Sequence, residues 1–243
     1  MDASDANNAD RADRRDDSGG PEGSGATGRI TNARALPAYP GAPWHLHGDA
    51  CISAWLIDTA LISLPVPGTR YMRIGRRCFF FLVWARYLPG GTLSYDELAA
   101  GVLLRHPGML PPAATLHQVW VSEPAAAEGG LDLWRVPKRL GHFDMDGDVG
   151  AGGFAGRLAA PGGLVAALRF TRRLSIPVAL PARGLIVQAG EGGPLPTPCR
   201  AQGKLVLGHA DWDFDANGPL SFLRGKRPFV SARLTSMRLS FGA

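Results

Sequence analysis

Lysine is nearly missing from this chain. Of its 26 basic residues 23 are arginine, and the three lysines are Lys138, Lys204 and Lys226. Arginine stays protonated at any ordinary pH, whereas a desolvated lysine can shed its proton and become an amine nucleophile. A lysine retained at 138 in an arginine-dominated chain is therefore a candidate for chemistry.

Other absences narrow the class. Cys51, Cys78 and Cys199 are an odd number of cysteines at no metal-ligand spacing, and the first two sit in apolar runs. They read as buried thiols of a reducing compartment. The start, MDASDANNADRADRRDDSGG, has no apolar core of the kind a signal peptide needs, and no run approaches the roughly 20 apolar residues of a membrane helix. A soluble, cytoplasmic protein without a membrane partner is expected. The net charge of +5 raises nucleic acid as a partner. However, the arginines are spread through strand-like segments such as RYMRIGRR and RFTRR, with no basic helix and no aromatic RNA-binding signature, so none is expected.

Metal and cofactor motifs are also lacking. HLH at 45 to 47 puts two imidazoles on one face of a strand, but no third ligand has suitable spacing. DMDGD at 144 to 148 resembles the start of a calcium loop and lacks the rest of it, so a hairpin turn on Asp-Gly accounts for it. The glycine clusters GAGG and GEGG lack the strand and helix context of a phosphate loop. No metal and no cofactor are expected.

Two regions differ in kind. Residues 1 to 36 are rich in Asp, Arg, Gly, Asn and Ser and almost lack large apolar side chains before Ile30. Such a segment cannot bury enough surface to offset its ordering entropy, and a disordered tail is expected. Residues 37 to 243 carry short apolar runs separated by glycine and proline clusters, the pattern of closely spaced strands and turns in one mainly β domain. CFFFLVW, residues 78 to 84, reads as barrel core. SARLTSMRLSFG alternates by face with an imperfect period. SYDELAAGVLL is helical by composition, yet its position between apolar runs also permits a strand. SEPAAAEGG reads as a short helix capped by Ser122 and stopped by Gly129 and Gly130.

One stretch carries a family likeness. VWVSEPAAAEGGLDLWRVPKRLGHF resembles the acetoacetate decarboxylase family, in which a segment ending in Pro-Lys supplies a lysine that forms a Schiff base with a keto acid. YPGAPWHLHGD looks like the opening segment of that family and YLPGGTLSYDELAAGVLLR like the segment bearing its glutamate. GKLVLGHADWDFDANGPLSFLRGKRPFVSARLTSMRLSFG is similar to its closing strands. The resemblance implies a β-barrel or cone with a few short helices, a small-molecule carbonyl substrate and a homo-oligomer. Carried across, Lys138 matches the Schiff-base lysine, Arg139 its basic neighbour and Glu97 the glutamate close to it. Trp134, His47 and Asp49 would line the substrate pocket. The chain departs from the pattern at Leu131 and Asp132, where the family has arginine and glutamate. It departs also at Asp49, where characterised decarboxylases have arginine, and at Leu82, where a second acidic residue falls.

A neutral amine is the reactive form, and an unperturbed lysine, with a pKa of about 10.4, is almost wholly protonated near neutrality. Desolvation or a neighbouring cation is the known remedy in acetoacetate decarboxylase itself. Burial by the apolar residues flanking Lys138 is expected to dominate here. Arg139 contributes less, because adjacent residues of a strand point oppositely. The sequence reads as a Schiff-base lyase acting on a small oxo acid or related carbonyl compound. The alternatives are aldol or dehydratase chemistry at the same lysine, or a barrel that binds without turnover.

Overall fold

The computed structural model describes residues 38–63, 66–105, 113–146 and 153–243, within the compact unit Pro37–Ala243. The tail expected over residues 1 to 36 and the turn expected after Asp146 lie outside the described residues.

Among the described residues, twelve strands and one α-helix follow in the order β1 (Trp44–Asp58), β2 (Arg70–Tyr71), β3 (Arg73–Ile74), β4 (Arg77–Tyr87), β5 (Tyr95–Arg105), β6 (Ala113–Val121), α1 (Pro124–Trp134), β7 (Lys138–Leu140), β8 (His142–Asp146), β9 (Phe154–Ala160), β10 (Gly163–Gly190), β11 (Gly193–Phe214) and β12 (Val230–Phe241). The mainly β class is therefore observed. SYDELAAGVLL, which composition left open, is the strand β5.

The main sheet runs β7-β6-β5-β4-β1-β12-β11-β10-β9-β8. Its neighbours are antiparallel except where β7 and β10 each pair with β6. The β10 contact, Leu185 opposite Ala113 and Ile186 opposite Ala114, joins the sheet to itself. Seven strands, β6, β5, β4, β1, β12, β11 and β10, thereby close into a ring. β10 serves two tasks along its 28 residues: Gly163 to Phe170 pair with β9, and the part beyond the irregularities at Arg172/Leu174 and Ile176/Ala179 closes the ring. Bulges at these points bend and twist the hairpin away from its first direction.

Successive side chains of a strand point to opposite faces, and β1, β4, β5 and β6 bury apolar side chains on both. Cys51, Trp55, Phe80, Leu82, Trp84, Leu98 and Leu158 belong to one fully buried cluster. Trp44, Leu46, Ala50, Tyr87, Tyr95, Ala99, Trp134 and Met237 belong to a second, on the other face. Each fully buried large apolar side chain contributes roughly 1.5–3 kcal/mol, so both faces of the wall stabilise the ring. Two buried hydroxyls beside the first cluster are satisfied: Ser53 Oγ lies 2.8 Å from Ser231 Oγ and accepts from Trp212 Nε1 at 3.0 Å.

The helix α1 differs from its expectation at both ends. Ser122 does not cap it; its Oγ accepts from the Asp96 backbone N–H at 2.9 Å, and Glu123 is the N-cap residue without a side-chain bond. Gly129 and Gly130 do not stop it. A Cβ on Gly129 would stand 2.6 Å from the Trp44 ring, and one on Gly130 would stand 2.6 Å from Lys138 Cδ. The glycines are there so that the helix can press against these two side chains. Arg135, in the left-handed region (φ 56°), ends it instead, with Val136 N–H donating to Gly130 O at 3.0 Å and Pro137 following. Arg135 N–H itself donates to Leu131 O at 2.9 Å, the five-to-one bond of an αL helix termination.

Candidate active site

Within the ring lies a cavity of about 240 Å³. Its walls are apolar, with Leu46, Ile52, Val83, Leu116, Leu234 and Phe241 among the contributors, and four polar side chains converge in it: Lys138, Glu97, Tyr95 and Tyr87. Chain alternation delivers them. On β5, Tyr95, Glu97 and Ala99 share the inward face, while Leu98 and Ala100 pack in the other core. On β4, Tyr87 lies directly opposite Tyr95. Lys138 begins β7, beside Val119 of β6, and its stem passes under Gly130 of α1.

Lys138 Nζ donates to Glu97 Oε2 at 2.7 Å and to Tyr95 Oη at 3.2 Å. Tyr87 Oη donates to Glu97 Oε1 at 3.4 Å. The ammonium position also lies 5.1 Å from the centre of the Tyr95 ring and 5.6 Å from that of Trp44, within cation–π range. The side chains of Lys138 and Glu97 are 8% and 11% exposed, whereas Lys204 and Lys226 are exposed. A charged pair so deeply withdrawn from water must be closely matched, since breaking a buried pair costs about 3–5 kcal/mol.

Burial, followed by the negative charge of Glu97, holds the Tyr87 and Tyr95 phenols well above their ordinary pKa, so both remain O–H donors. Burial and then Glu97 also push the Cys199 thiol, in the cavity wall, up to about 11. Its thiolate is therefore scarce near neutrality, which makes it a poor nucleophile.

Of the residues singled out by sequence, Lys138, Glu97 and Trp134 meet at this cavity. Trp134 packs edge-on to both Trp44 (4.8 Å) and Phe241 (4.7 Å), fixing one wall. Arg139 is exposed and is not among the residues lining the cavity. His47 and Asp49, expected in the pocket, are on the other face of β1, where they line a separate outer depression with His45. The reason is parity: Trp44, Leu46 and Ala50 occupy the inward positions of that strand. Asp49 has a structural task, accepting from Arg233 Nη2 at 2.7 Å and from the Ser236 backbone N–H at 2.9 Å. These contacts fasten the irregularity between β1 and β12 where Ser236 adopts a φ of 51°. Leu82 is buried in the other core, away from the lysine. Leu131 is exposed, and Asp132 accepts from Tyr39 Oη at 2.6 Å.

Sequence reading missed Tyr87, Tyr95, Trp44 and Gly130. The signal for Tyr95 was its spacing of two from Glu97, which places both on one face only if the segment is a strand.

Among the described residues no group of three or more His, Cys, Asp or Glu side chains is arranged to hold a metal. No described helix is long and apolar enough to cross a membrane.

No protein-family model matches the sequence, and no curated protein does. Solved structures do match. The enduracididine biosynthesis enzyme MppR, in complex with pyruvate, is 18% identical with a TM-score of 0.62, covering 93% of this chain and 97% of its own. The same enzyme with the condensation product of pyruvate and imidazole 4-carboxaldehyde gives a TM-score of 0.60 at 18% identity, over 93% and 96% of the two chains. Acetoacetate decarboxylase from Legionella pneumophila is 19% identical with a TM-score of 0.61, over 90% and 95%. The ring of strands, the helix laid against the lysine and these matches over nearly whole chains lead to one conclusion: the described residues have the acetoacetate decarboxylase-like fold.

Proposed function

We propose that this protein is a lyase or aldolase-type enzyme that forms a Schiff base between Lys138 and a small carbonyl compound. The observation that carries the reading is the Lys138–Glu97 pair. A lysine in a chain that otherwise prefers arginine lies almost fully buried in an apolar cavity, with a carboxylate oxygen 2.7 Å from its nitrogen.

Glu97 Oε2 is placed to take the proton that Nζ must lose before it attacks, which is general base catalysis at hydrogen-bond distance. The freed lone pair adds to the carbonyl carbon, the oxygen departs as water, and an iminium ion remains on Lys138. That cation draws in the electrons of an adjacent bond. If the bond leads to a carboxylate, carbon dioxide leaves; if it leads to hydrogen, the proton passes to the Glu97 carboxylate. Either way an enamine results, which accepts a proton or adds to a second carbonyl, and hydrolysis returns the lysine. Tyr95 and Tyr87 hold Glu97 and the nitrogen in position and can donate to an oxygen of the bound compound. Arg139 adds at most a distant positive charge, since it is exposed.

Aldol-type chemistry is favoured as a second form of the same reading by the similar structure that holds a condensation product of pyruvate and an aldehyde. Hydrogen–deuterium exchange tests both forms at once. In D2O the protein should catalyse exchange of the methyl protons of a simple ketone, and Lys138→Arg should abolish it. Exchange at the uncatalysed rate with a panel of small ketones would remove the enamine step and the assignment with it.

A further inference from the structure

Resting on the Schiff-base reading, we infer that the substrate of this cavity is an uncharged aldehyde or ketone with an apolar substituent, and not a keto acid. Lys138 is the sole cationic side chain among the described residues lining the cavity, and Glu97 already holds it at 2.7 Å. A substrate carboxylate would therefore compete with Glu97 for one nitrogen, beside a fixed negative charge and against hydrocarbon walls. A buried anion is tolerated only when paired and hydrogen-bonded.

The neighbouring strands do carry arginines, and pairing geometry turns them away. On β11, Cys199 and Ala201 face the cavity, so Arg200 between them faces out. On β12, Met237 and Leu239 line the cavity, so Arg238 between them faces out. Both arginines line the outer depression and are exposed. The positive charge of this part of the sheet is thus on the far side of the wall from the reactive nitrogen.

For an uncharged substrate the reaction that balances is aldol cleavage or its reverse. With a β-hydroxy carbonyl compound bound as the iminium, the Glu97 carboxylate takes the hydroxyl proton and the bond between the α and β carbons breaks. An aldehyde leaves, and the electron pair enters the enamine. Glu97 returns a proton to the α carbon and water hydrolyses the iminium, leaving a ketone and the free lysine. No oxidant, metal or further reactant is needed.

Matched ketones test the inference on the full chain. 2-Heptanone and 5-oxohexanoate have similar length and a methyl ketone at the same end, and differ in a charge remote from the reacting carbon. With cyanoborohydride at equal concentrations, Lys138 should be alkylated about tenfold faster by 2-heptanone, read from the mass of the peptide containing it. A ratio below three, or a reversed one, overturns the uncharged substrate class while leaving the Schiff base intact. No adduct on Lys138 with either ketone overturns the Schiff-base reading and this inference together.

Discussion

Gly130 lies directly over the stem of Lys138, so that a single methyl group there would stand 2.6 Å from Cδ and 2.8 Å from Cε. The helix gives up the roughly 0.5–1 kcal/mol that alanine offers over glycine in a helix interior to let the lysine pass. Gly130→Ala should therefore leave the melting temperature close to that of the parent, as gained helix propensity offsets crowding, while adduct formation at Lys138 falls at least tenfold. Undiminished adduct formation in a folded Gly130→Ala protein would show that the stem tolerates displacement.

The Lys138–Glu97 pair makes a distinct prediction for stability. Glu97→Leu leaves a buried ammonium without its partner and should cost about 3–5 kcal/mol, whereas the double change Glu97→Leu with Lys138→Met should recover most of it, as buried pairs replaced by apolar groups often do. Denaturant titration of the two single variants and the double variant gives the coupling. Additive losses would mean that the two groups do not sense each other in the folded protein.

Asp49 is predicted to matter for stability and not for chemistry. Asp49→Ala removes two hydrogen bonds, one from a guanidinium, and should cost about 1–3 kcal/mol with adduct formation retained. Asp49→Arg sets a second guanidinium beside Arg233 on the outer face, so it should destabilise the protein and bring no gain in acetoacetate turnover. Improved turnover in Asp49→Arg would mean that this face of β1 reaches the substrate.

His117 supplies a pH dependence. Burial lowers its pKa from the ordinary value of about 6.5, and its Nε2 has no hydrogen-bond partner among the described residues. The unfolded chain therefore binds a proton more readily than the folded one. The stability contributed by keeping this imidazole neutral is fully present above pH ~6.5 and is lost as pH falls from there towards the lowered folded value. His117→Leu should flatten the slope of unfolding free energy between pH 6.5 and 5. An unchanged slope in the variant would assign the acid sensitivity to other groups.

How much of this was legible depended on parity more than on motif. The mainly β class followed from short apolar runs and glycine and proline punctuation, and the lysine stood out because arginine had replaced it elsewhere. The inward face of β1 was also readable: in WHLHGDA the apolar Trp44, Leu46 and Ala50 alternate with His45, His47 and Asp49. A family likeness drew attention to the polar set, and alternation puts that set outside. Tyr95 was hidden because SYDELAAG favours helix by composition, and a helix would separate Tyr95 from Glu97. The two glycines of α1 look like a stop signal locally. Only the tertiary approach of Trp44 and Lys138 explains why the helix runs through them. Closure of the ring at two residue pairs between β10 and β6 has no local sequence signal at all.

The most direct measurement is the site of covalent capture. The full chain is incubated with a small ketone and borohydride, digested, and each of the three lysine-containing regions is weighed by mass spectrometry. The account predicts one adduct per chain, on Lys138, with none in Lys138→Arg although the charge is kept. Capture at Lys204 or Lys226 with Lys138 unmodified would contradict it.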